Sequence, residues 1–294
     1  MLLIIKITKK DSDEATRQLE KENRIIGIAT EGLNRKQCYL HGVEPPGVEV
    51  TYKERNGTLK ERFAGSLDDA LKLNERNREG GEHPSVTKKR FSSIVEGASF
   101  LFNRGIALLD IKCENMLVKE VEGKNITVHT DLGESTIDDL YDKMIKLSPD
   151  EIRRAGTLIG VVGEPQTPHL MNSKFENRLK RAIRDKNKDA FTKVLNQYVT
   201  YKTAIELVTM SSPSLYSWAD SIYEPKPRFP DATDFGALKK TVGELPVKSN
   251  EYFTEEQVKG LKSIINHGCS QTQQEEGYDL AFLKSLFLSE SPSQ

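Results

Sequence analysis

The sequence of 294 residues has few of the features that mark several classes of protein. Its three cysteines, Cys38, Cys113 and Cys269, lie far apart with no C-x-x-C spacing, so the sequence suggests neither a disulfide framework nor a zinc cluster. Because 43 Lys and Arg oppose 44 Asp and Glu, the net charge of -1 gives no overall attraction to nucleic acid or to anionic membranes. The apolar run at residues 1–5 is too short for a signal peptide or a membrane span before Lys6 interrupts it. We therefore expect a soluble cytoplasmic protein with no transmembrane segment and no nucleic-acid partner.

Glycine-rich phosphate loops are missing as well. The sequence contains no G-x-G-x-x-G, and Gly156, Gly160 and Gly163 lack both the spacing and the following Lys-Ser/Thr of a phosphate-binding loop. Neither of these two kinds of backbone phosphate site is therefore expected.

The chain does contain enough apolar residues for a sizeable core. With 36% hydrophobic and 30% charged residues, it can form one two-lobed domain or two small domains. Short apolar or alternating runs predict strands at residues 2–7, 47–53 and 58–63, and the last two are joined in a hairpin around Asn56-Gly57. Helical periodicity predicts helices over residues 13–28 and 194–210. The predicted fold class is α+β.

Four polar residues at a defined spacing carry the strongest chemical signal: Asp110, Lys112, Asn115 and Asp131. Phosphoryl transfer from Mg-ATP uses these residue types. An Asp accepts or orients the acceptor's hydroxyl proton, a Lys meets the transferring phosphate, and an Asn and a second Asp present oxygens to magnesium. The patterns D-x-K-x-x-N and D-x-G resemble those of the eukaryotic-type Ser/Thr protein kinase family. Asp110 and Lys112 are thus the predicted catalytic residues, and Asn115 and Asp131 are the predicted metal ligands.

The elements around these residues explain how they converge. A helix that begins at Pro84 and ends at Gly105 carries an apolar stripe that predicts a buried face. The stripe consists of Phe91, Ile94, Val95, Ala98, Leu101 and Phe102. A second predicted hairpin, with strands at residues 116–118 and 126–128, has Asn115 at one end and Asp131 at the other. It brings two residues that are distant in sequence to one place.

The resemblance implies a kinase-like two-lobed fold, with a small, incomplete antiparallel sheet as N-lobe and a mainly helical C-lobe. Lys6, at the end of Leu3-Ile4-Ile5-Lys6, would hold the α- and β-phosphates, and Glu22 on the next helix would orient it. Glu20 competes with Glu22 for that role. The plain alternative is that Lys6 is a solvated lysine at a strand end and Glu22 an exposed helix charge.

The same resemblance divides the chain into three parts. Residues 1–64 would form a truncated N-lobe with the third strand, the regulatory helix and a hairpin. Residues 65–211 would form the C-lobe core with the catalytic loop and activation segment. Residues 212–294 would be a Pro-rich linker and C-terminal helices packed on the C-lobe.

Three features depart from the family pattern: the missing glycine-rich loop, Leu132 in Asp-Leu-Gly, and Leu108-Leu109 in place of His-Arg. Either the N-lobe is minimal or truncated, or nucleotide is held weakly or not at all. Whether a longer form supplies the loop upstream of Met1 is left open.

Three functions remain open. The first is a divergent protein kinase that transfers the γ-phosphate of ATP, with Mg²⁺, to Ser or Thr of a protein substrate. The second is a pseudokinase that acts as a scaffold for a binding partner, which the missing glycine loop favours. The third is a small-molecule phosphotransferase, against which Lys112 argues. Oligomeric state is left open.

Other segments carry weaker expectations. Ser135, Thr136, Thr157 and Thr167 are phosphate-acceptor candidates in an activation segment at residues 133–168. The basic segment 174–188 reads as a solvated helix face or a docking site for an acidic ligand. A capping box at Thr254 predicts a helix start, and Gly268 predicts its end. A packing or surface role is favoured over metal ligation for His129 and His169.

Overall fold

The computed structural model describes residues 3–7, 13–52, 55–61, 63–67, 69–70, 84–109, 111–130, 132, 136–148, 173–210, 252–269 and 278–288. In these residues the chain is α+β, with two small antiparallel sheets and a larger set of helices. The predicted fold class is confirmed at this level.

The first sheet is built from the N-terminal part of the chain. In chain order the elements are β1 (Leu3–Ile7), α1 (Asp13–Thr30), α2 (Arg35–Leu40), β2 (Val48–Tyr52) and β3 (Arg55–Glu61). The strand order is β1-β3-β2, and both pairings are antiparallel. β3 is therefore the central strand, and α1 connects β1 to the α2–β2 segment.

The first hairpin turns three residues earlier than the sequence predicts. Tyr52 pairs with Arg55, so Asn56 and Gly57 lie inside β3 and not at the turn. An Asn-Gly turn at residues 56–57 would have placed Lys53 opposite Lys60, and like charges directly opposite each other destabilise a sheet. The prediction of the hairpin is right, but its turn is wrong.

The observed register also serves the packing of α1. Thr58 and Lys60 alternate along β3 and reach the same helix, where the Thr58 hydroxyl contacts Asn23 at 3.2 Å and the Lys60 ammonium contacts Glu22 at 3.1 Å. Since side chains two residues apart share one face of a strand, this register supplies the polar face that α1 requires.

The second sheet contains β4 (Gly65–Ser66), β5 (Met116–Val121) and β6 (Lys124–His129), in the order β4-β5-β6. β5 and β6 form the predicted second hairpin, closed by the two residues Glu122 and Gly123. Its strands are longer and its turn is tighter than predicted.

The predicted amphipathic helix before the second hairpin is present as α3 (Pro84–Asn103). All six residues of its apolar stripe are buried. The helix ends where predicted, because Gly105 adopts a φ of 74° and donates its N–H to the carbonyl of Phe102 at 2.9 Å.

Three hydrogen-bonding contacts hold α3 against β6. Arg90 donates to the Ile126 carbonyl at 3.0 Å, the Ser93 hydroxyl accepts from the Thr127 N–H at 2.8 Å, and His129 contacts the Ile94 carbonyl.

The remaining helices are α4 (Ile137–Ile145), α5 (Ser173–Arg184), α6 (Lys188–Met210), α7 (Glu255–Cys269) and α8 (Leu280–Leu288). α6 contains the predicted buried helix and packs against α3, α4, α5, α7 and α8. One cluster of buried apolar residues runs from Ile25 of α1 to Phe287 of α8. Among the described helices, none combines the length and the apolar character needed to cross a membrane.

The C-terminal helices pack on the same core. The Phe91 and Phe253 rings stack at 5.3 Å, Ser92 donates to the Phe287 carbonyl at 3.3 Å, and the Leu280 N–H donates to the Asn196 side chain at 2.9 Å. The predicted Pro-rich linker at residues 212–250 lies outside the described residues.

One glycine in α7 was given the wrong role. The capping box is present, since Thr254 and Gln257 exchange hydrogen bonds of 2.9 and 3.2 Å. Gly268, however, lies inside the helix and not beyond its end. A Cβ at this position would overlap the ring of Tyr201 on α6, so the glycine permits close approach of two helices.

Candidate functional site

A backbone contact joins the two segments that carry the predicted site. The hairpin register pairs Met116 with His129, which leaves Asn115 and Thr130 as the next residues along the two strands. The Thr130 N–H donates to the Asn115 carbonyl at 3.0 Å, and the Thr130 hydroxyl approaches the same carbonyl at 3.4 Å. Asn115 is thereby held beside the residue that immediately precedes Asp131.

A second contact joins the same segments at their other ends. Ile106 and Thr136 form an antiparallel bridge, and the Ile137 N–H donates to the Gly105 carbonyl at 2.7 Å. Segment 106–115 is therefore held against segment 130–136 both before Asp110 and after Asp131.

Apolar neighbours attach both segments to the core. Leu109 and Ile111, on either side of Asp110, are buried, and so is Leu132, which follows Asp131. Asp110 and Asp131 themselves lie outside the described residues.

Lys112 and Asn115 belong to one short turn. Cys113–Asn115 forms a 3₁₀ turn in which the Asn115 N–H donates to the Lys112 carbonyl at 3.0 Å. Both side chains are partly buried. The structure thus brings Lys112, Asn115 and the neighbours of Asp131 together.

The structure describes the side chain of Glu22 but not that of Lys6, the two residues predicted to act on the nucleotide. Lys6 lies on β1, where the register places it opposite Thr58 of β3, but its side chain lies outside what the structure describes. Glu22 lies on α1 and is buried. Its carboxylate accepts from the Lys60 ammonium at 3.1 Å, a partner that the sequence did not suggest.

Lys60 also binds a second carboxylate. Its ammonium donates to Glu44 at 3.0 Å, and all three side chains are at most 7% exposed. Burial by itself lowers the pKa of Lys60, but the charges and hydrogen bonds of Glu44 and Glu22 outweigh it and raise the pKa above the ordinary value. Lys60 therefore stays protonated inside the protein. The sequence carries only a partial signal, because Thr58 and Lys60 alternate along a predicted strand and therefore share one face.

His129 lies at the end of β6 and packs against α3. It is buried, and its Nε2 lies 2.9 Å from the Ile94 carbonyl. Because a carbonyl oxygen only accepts hydrogen bonds, Nε2 carries a hydrogen and donates it. Burial lowers the pKa of His129, opposed by the hydrogen bond to Ile94. This packing agrees with the structural role predicted for His129. His169 lies outside the described residues.

Thr136 has a structural partner that the sequence analysis missed. Its hydroxyl accepts the Asp139 N–H at 3.1 Å and caps α4, which begins at Ile137. The signal was available in Thr136-Ile137-Asp138-Asp139, a capping residue followed by two acids in the first helical turn. Ser135, Thr157 and Thr167 lie outside the described residues.

The basic segment is largely the helix α5, and several of its cations have acidic partners. Arg181 and Arg184 are exposed and lie 3.7 and 3.3 Å from Asp185, and Lys188 lies 3.0 Å from Asp138 on α4. These pairs favour the solvated-face interpretation.

A second charged cluster connects the two sheets. Glu61, at the end of β3, accepts hydrogen bonds from Lys119 of β5 and from the Tyr39 hydroxyl, and Arg35 lies 3.3 Å away. The Lys119 ammonium also lies over the rings of Tyr39 and Phe63, at 4.5 and 5.3 Å from their centres. Burial would raise the pKa of Glu61, but the hydrogen bonds from Lys119 and Tyr39 lower it below the ordinary value.

Glu61 gives a pH-dependence that can be measured. Because its pKa is lowered on folding, its stabilising effect is complete above the ordinary value of 4.5 and is lost as the pH falls through the lower folded value. We expect Glu61→Gln to reduce the free energy of unfolding at pH 7 by about 1.5–3 kcal/mol. Urea unfolding from pH 7 to pH 3 should show that difference shrinking below the ordinary pKa.

Glu122→Gln is the matched control, because that glutamate is exposed and pairs only with a surface lysine among the contacts observed. Its effect should be less than about 1 kcal/mol at every pH. A difference for Glu61→Gln that stays constant down to pH 3 would contradict the assignment.

The predicted metal ligands can be judged by their chemistry. Asn115 and Asp131 offer amide and carboxylate oxygens, which suit a hard cation such as Mg²⁺. The described residues alone contain no group of three or more His, Cys, Asp or Glu side chains that could hold a metal. The predicted site combines Asn115 with Asp131, which lies outside the described residues.

Comparison with known proteins does not assign the chain. No family model matches it, and no curated protein sequence is significantly similar to it.

Proposed function

We propose that the protein is a divergent protein kinase that transfers the γ-phosphate of ATP to Ser or Thr of a protein substrate. The observation that carries the proposal is the double attachment of segment 106–115 to segment 130–136, through Asn115–Thr130 and Ile106–Thr136. Phosphoryl transfer depends mainly on positioning and electrostatic stabilisation, so a rigid juxtaposition of these segments is what the chemistry requires.

Each residue then has a defined task. Asp110 would accept or orient the proton of the acceptor hydroxyl, and Lys112 would contact the transferring phosphate. Asn115 and Asp131 would bind magnesium, and Lys6, oriented by Glu22, would bind the nucleotide phosphates. Magnesium, when bound with ATP, would neutralise charge on the phosphates.

The order of elements supports a kinase-like two-lobed fold as part of this proposal. A strand with Lys6 pairs with an antiparallel pair of strands to form the first sheet, and a helix with a buried glutamate follows that first strand in the chain. A buried helix, the segment with Asp110 and a hairpin follow in the order that the resemblance implies. The N-lobe would comprise the first sheet and α1, and the C-lobe the helices from α3 onward.

A pseudokinase that acts as a binding scaffold is the second candidate. Two features of the sequence favour it: there is no glycine-rich loop, and Leu108-Leu109 stand where the family has His-Arg. A scaffold of this kind would keep the fold and its protein partner but would not respond to nucleotide.

Two measurements on the same preparation separate the candidates. A kinase should show a rise in Tm with Mg-ATP and should transfer radiolabelled γ-phosphate to itself or to a generic protein substrate. A preparation with neither response would support the scaffold. Transfer to a sugar or an aminoglycoside but never to protein would support a small-molecule phosphotransferase, and either result would overturn the proposal.

A further inference from the structure

Lys60 and its two carboxylates form a buried ionic cluster, of which the proposed chemistry uses only Glu22. The three residues come from separate places in the chain: Glu22 from α1, Glu44 from the segment between α2 and β2, and Lys60 from the central strand β3. The Lys60 ammonium lies 3.1 Å from Glu22 and 3.0 Å from Glu44. One side chain therefore connects a helix, a strand and a loop.

Stability alone is a weak reason for such a cluster. Removing three ionic side chains from water is costly, and apolar residues of similar size at such positions are often as stabilising or more so. With both carboxylates ionised, these three residues carry two negative charges against one positive charge. A buried arrangement of this kind is better explained by the geometry that it imposes.

The geometry links α1 to the strand that leads to Asp131. Beside Glu22, the Asn23 side chain contacts Thr58 at 3.2 Å and Glu49 at 3.4 Å, so two neighbouring residues fix α1 to the first sheet. On the other side, the Glu44 N–H donates to the His129 carbonyl at 3.2 Å. His129 lies two residues before Asp131. The cluster therefore spans the distance between α1 and the approach to the candidate site.

We propose that Lys60 and Glu44 are positioning residues for the candidate site: they hold Glu22 and α1 against the first sheet and connect both to the end of β6. The functional part of this inference rests on the proposed kinase activity. If Lys60 and Glu44 hold Glu22, α1 is docked against the first sheet without any ligand. If Lys6 of β1 were the only anchor of α1, the position of Glu22 would depend on Lys6.

The test uses Lys60→Met, Lys60→Arg and, as a matched control, Lys119→Met in the full chain. Like Lys60, Lys119 lies on a strand and pairs with a glutamate. It is less deeply buried than Lys60, and it contacts no residue of α1 in the described structure. Hydrogen exchange is measured on α1 without nucleotide. Transfer from Mg-ATP is measured at a temperature where circular dichroism shows every variant folded.

We expect Lys60→Met to lower the Tm by about 5 °C or more, because it leaves two buried carboxylates without this ammonium. Exchange in α1 should become at least about tenfold faster, and kcat should fall at least about tenfold with a smaller change in KM for Mg-ATP. Lys60→Arg should restore most of both properties. Lys119→Met should lower the Tm but leave α1 exchange and kcat unchanged.

Three results would overturn the inference. Two concern Lys60→Met: α1 exchange equal to that of the unaltered protein, or faster exchange with an unchanged kcat. A loss of kcat in Lys119→Met as large as in Lys60→Met would also overturn it, since a general loss of stability would then explain both. If the unaltered protein transfers no phosphate at all, the proposed function fails. The exchange measurement still decides whether Lys60 anchors α1.

Glu44→Gln separates charge from anchoring. It keeps a hydrogen-bond acceptor for Lys60 and removes the excess negative charge among the three residues, so it should be tolerated better than Lys60→Met. A Tm for Glu44→Gln below that of Lys60→Met would contradict the role given to Lys60.

Discussion

Replacement of Asp110 with asparagine should reduce phosphoryl transfer by about 10²- to 10⁴-fold while the protein remains folded. Asparagine has nearly the size of aspartate, but it cannot accept the proton of an acceptor hydroxyl. The flanking Leu109 and Ile111 are buried in the core, and the attachment of the loop at residues 106 and 115 does not involve the Asp110 side chain. The measurement is transfer of radiolabelled γ-phosphate at saturating Mg-ATP.

The thermal response distinguishes the two proposed roles of the aspartates. Asp110→Asn should keep the rise in Tm on addition of Mg-ATP, since Asp110 is not a proposed metal ligand. Asp131→Asn should lose both the transfer and most of that rise. Asp142→Asn, an exposed residue of α4, is the matched control and should change neither. Full transfer by Asp110→Asn would overturn the assignment of the catalytic residue.

The largest effect on stability is expected at Gly42, where α3 and β6 meet. Gly42 adopts a φ of 64°, and a Cβ there would lie 2.6 Å from the Ser93 carbonyl and 3.3 Å from the Thr127 carbonyl. A left-handed conformation costs an ordinary residue about 1–2 kcal/mol, and overpacking of a core about 1–3 kcal/mol. We expect Gly42→Ala to reduce the free energy of unfolding by about 2–5 kcal/mol, measured by urea denaturation.

Three other glycines separate the two contributions. A Cβ at Gly97 would lie 2.5 Å from the buried ring of His129, so Gly97→Ala tests overpacking, offset in part by the helix propensity of alanine. Gly105 has a φ of 74° with nothing within 4 Å, so Gly105→Ala tests the backbone conformation alone. Gly27, inside α1, has neither restriction, and Gly27→Ala should stabilise by about 0.5–1 kcal/mol.

The order of stability of the four variants is the expected result. Gly42→Ala should be the least stable, Gly97→Ala and Gly105→Ala intermediate, and Gly27→Ala more stable than the unaltered protein. Gly42→Ala no less stable than Gly105→Ala would show that α3 can move away from the Gly42 segment. The contact that holds β6 against α3 would then be looser than the structure indicates.

Local patterns in the sequence determined most of the elements near the candidate site. The apolar residues of α3 from Phe91 to Phe102 recur about once per helical turn and form one apolar face. A helix of this kind buries its apolar face against any element that packs on it. The β5–β6 hairpin follows from two alternating runs and a turn between them, and it places Asn115 next to Thr130 without help from other elements. Helix starts at Thr136 and Thr254 also depend on residues three apart. These features are short-range, so they can be read from neighbouring residues.

The contact of Glu22 with Lys60 was decided by tertiary structure alone. The two residues are 38 apart in sequence, and no local pattern links them. The contact depends on the register of β3, which places Thr58 and Lys60 on the face that meets α1 and moves Asn56-Gly57 out of the turn where a local rule would put it. The role of Gly268 was settled in the same way, by the ring of Tyr201 on another helix. In the interior, an unpaired charge or an overlapping atom costs free energy of folding. Whether a given residue meets that cost depends on the elements that pack against it, and only the folded chain determines those.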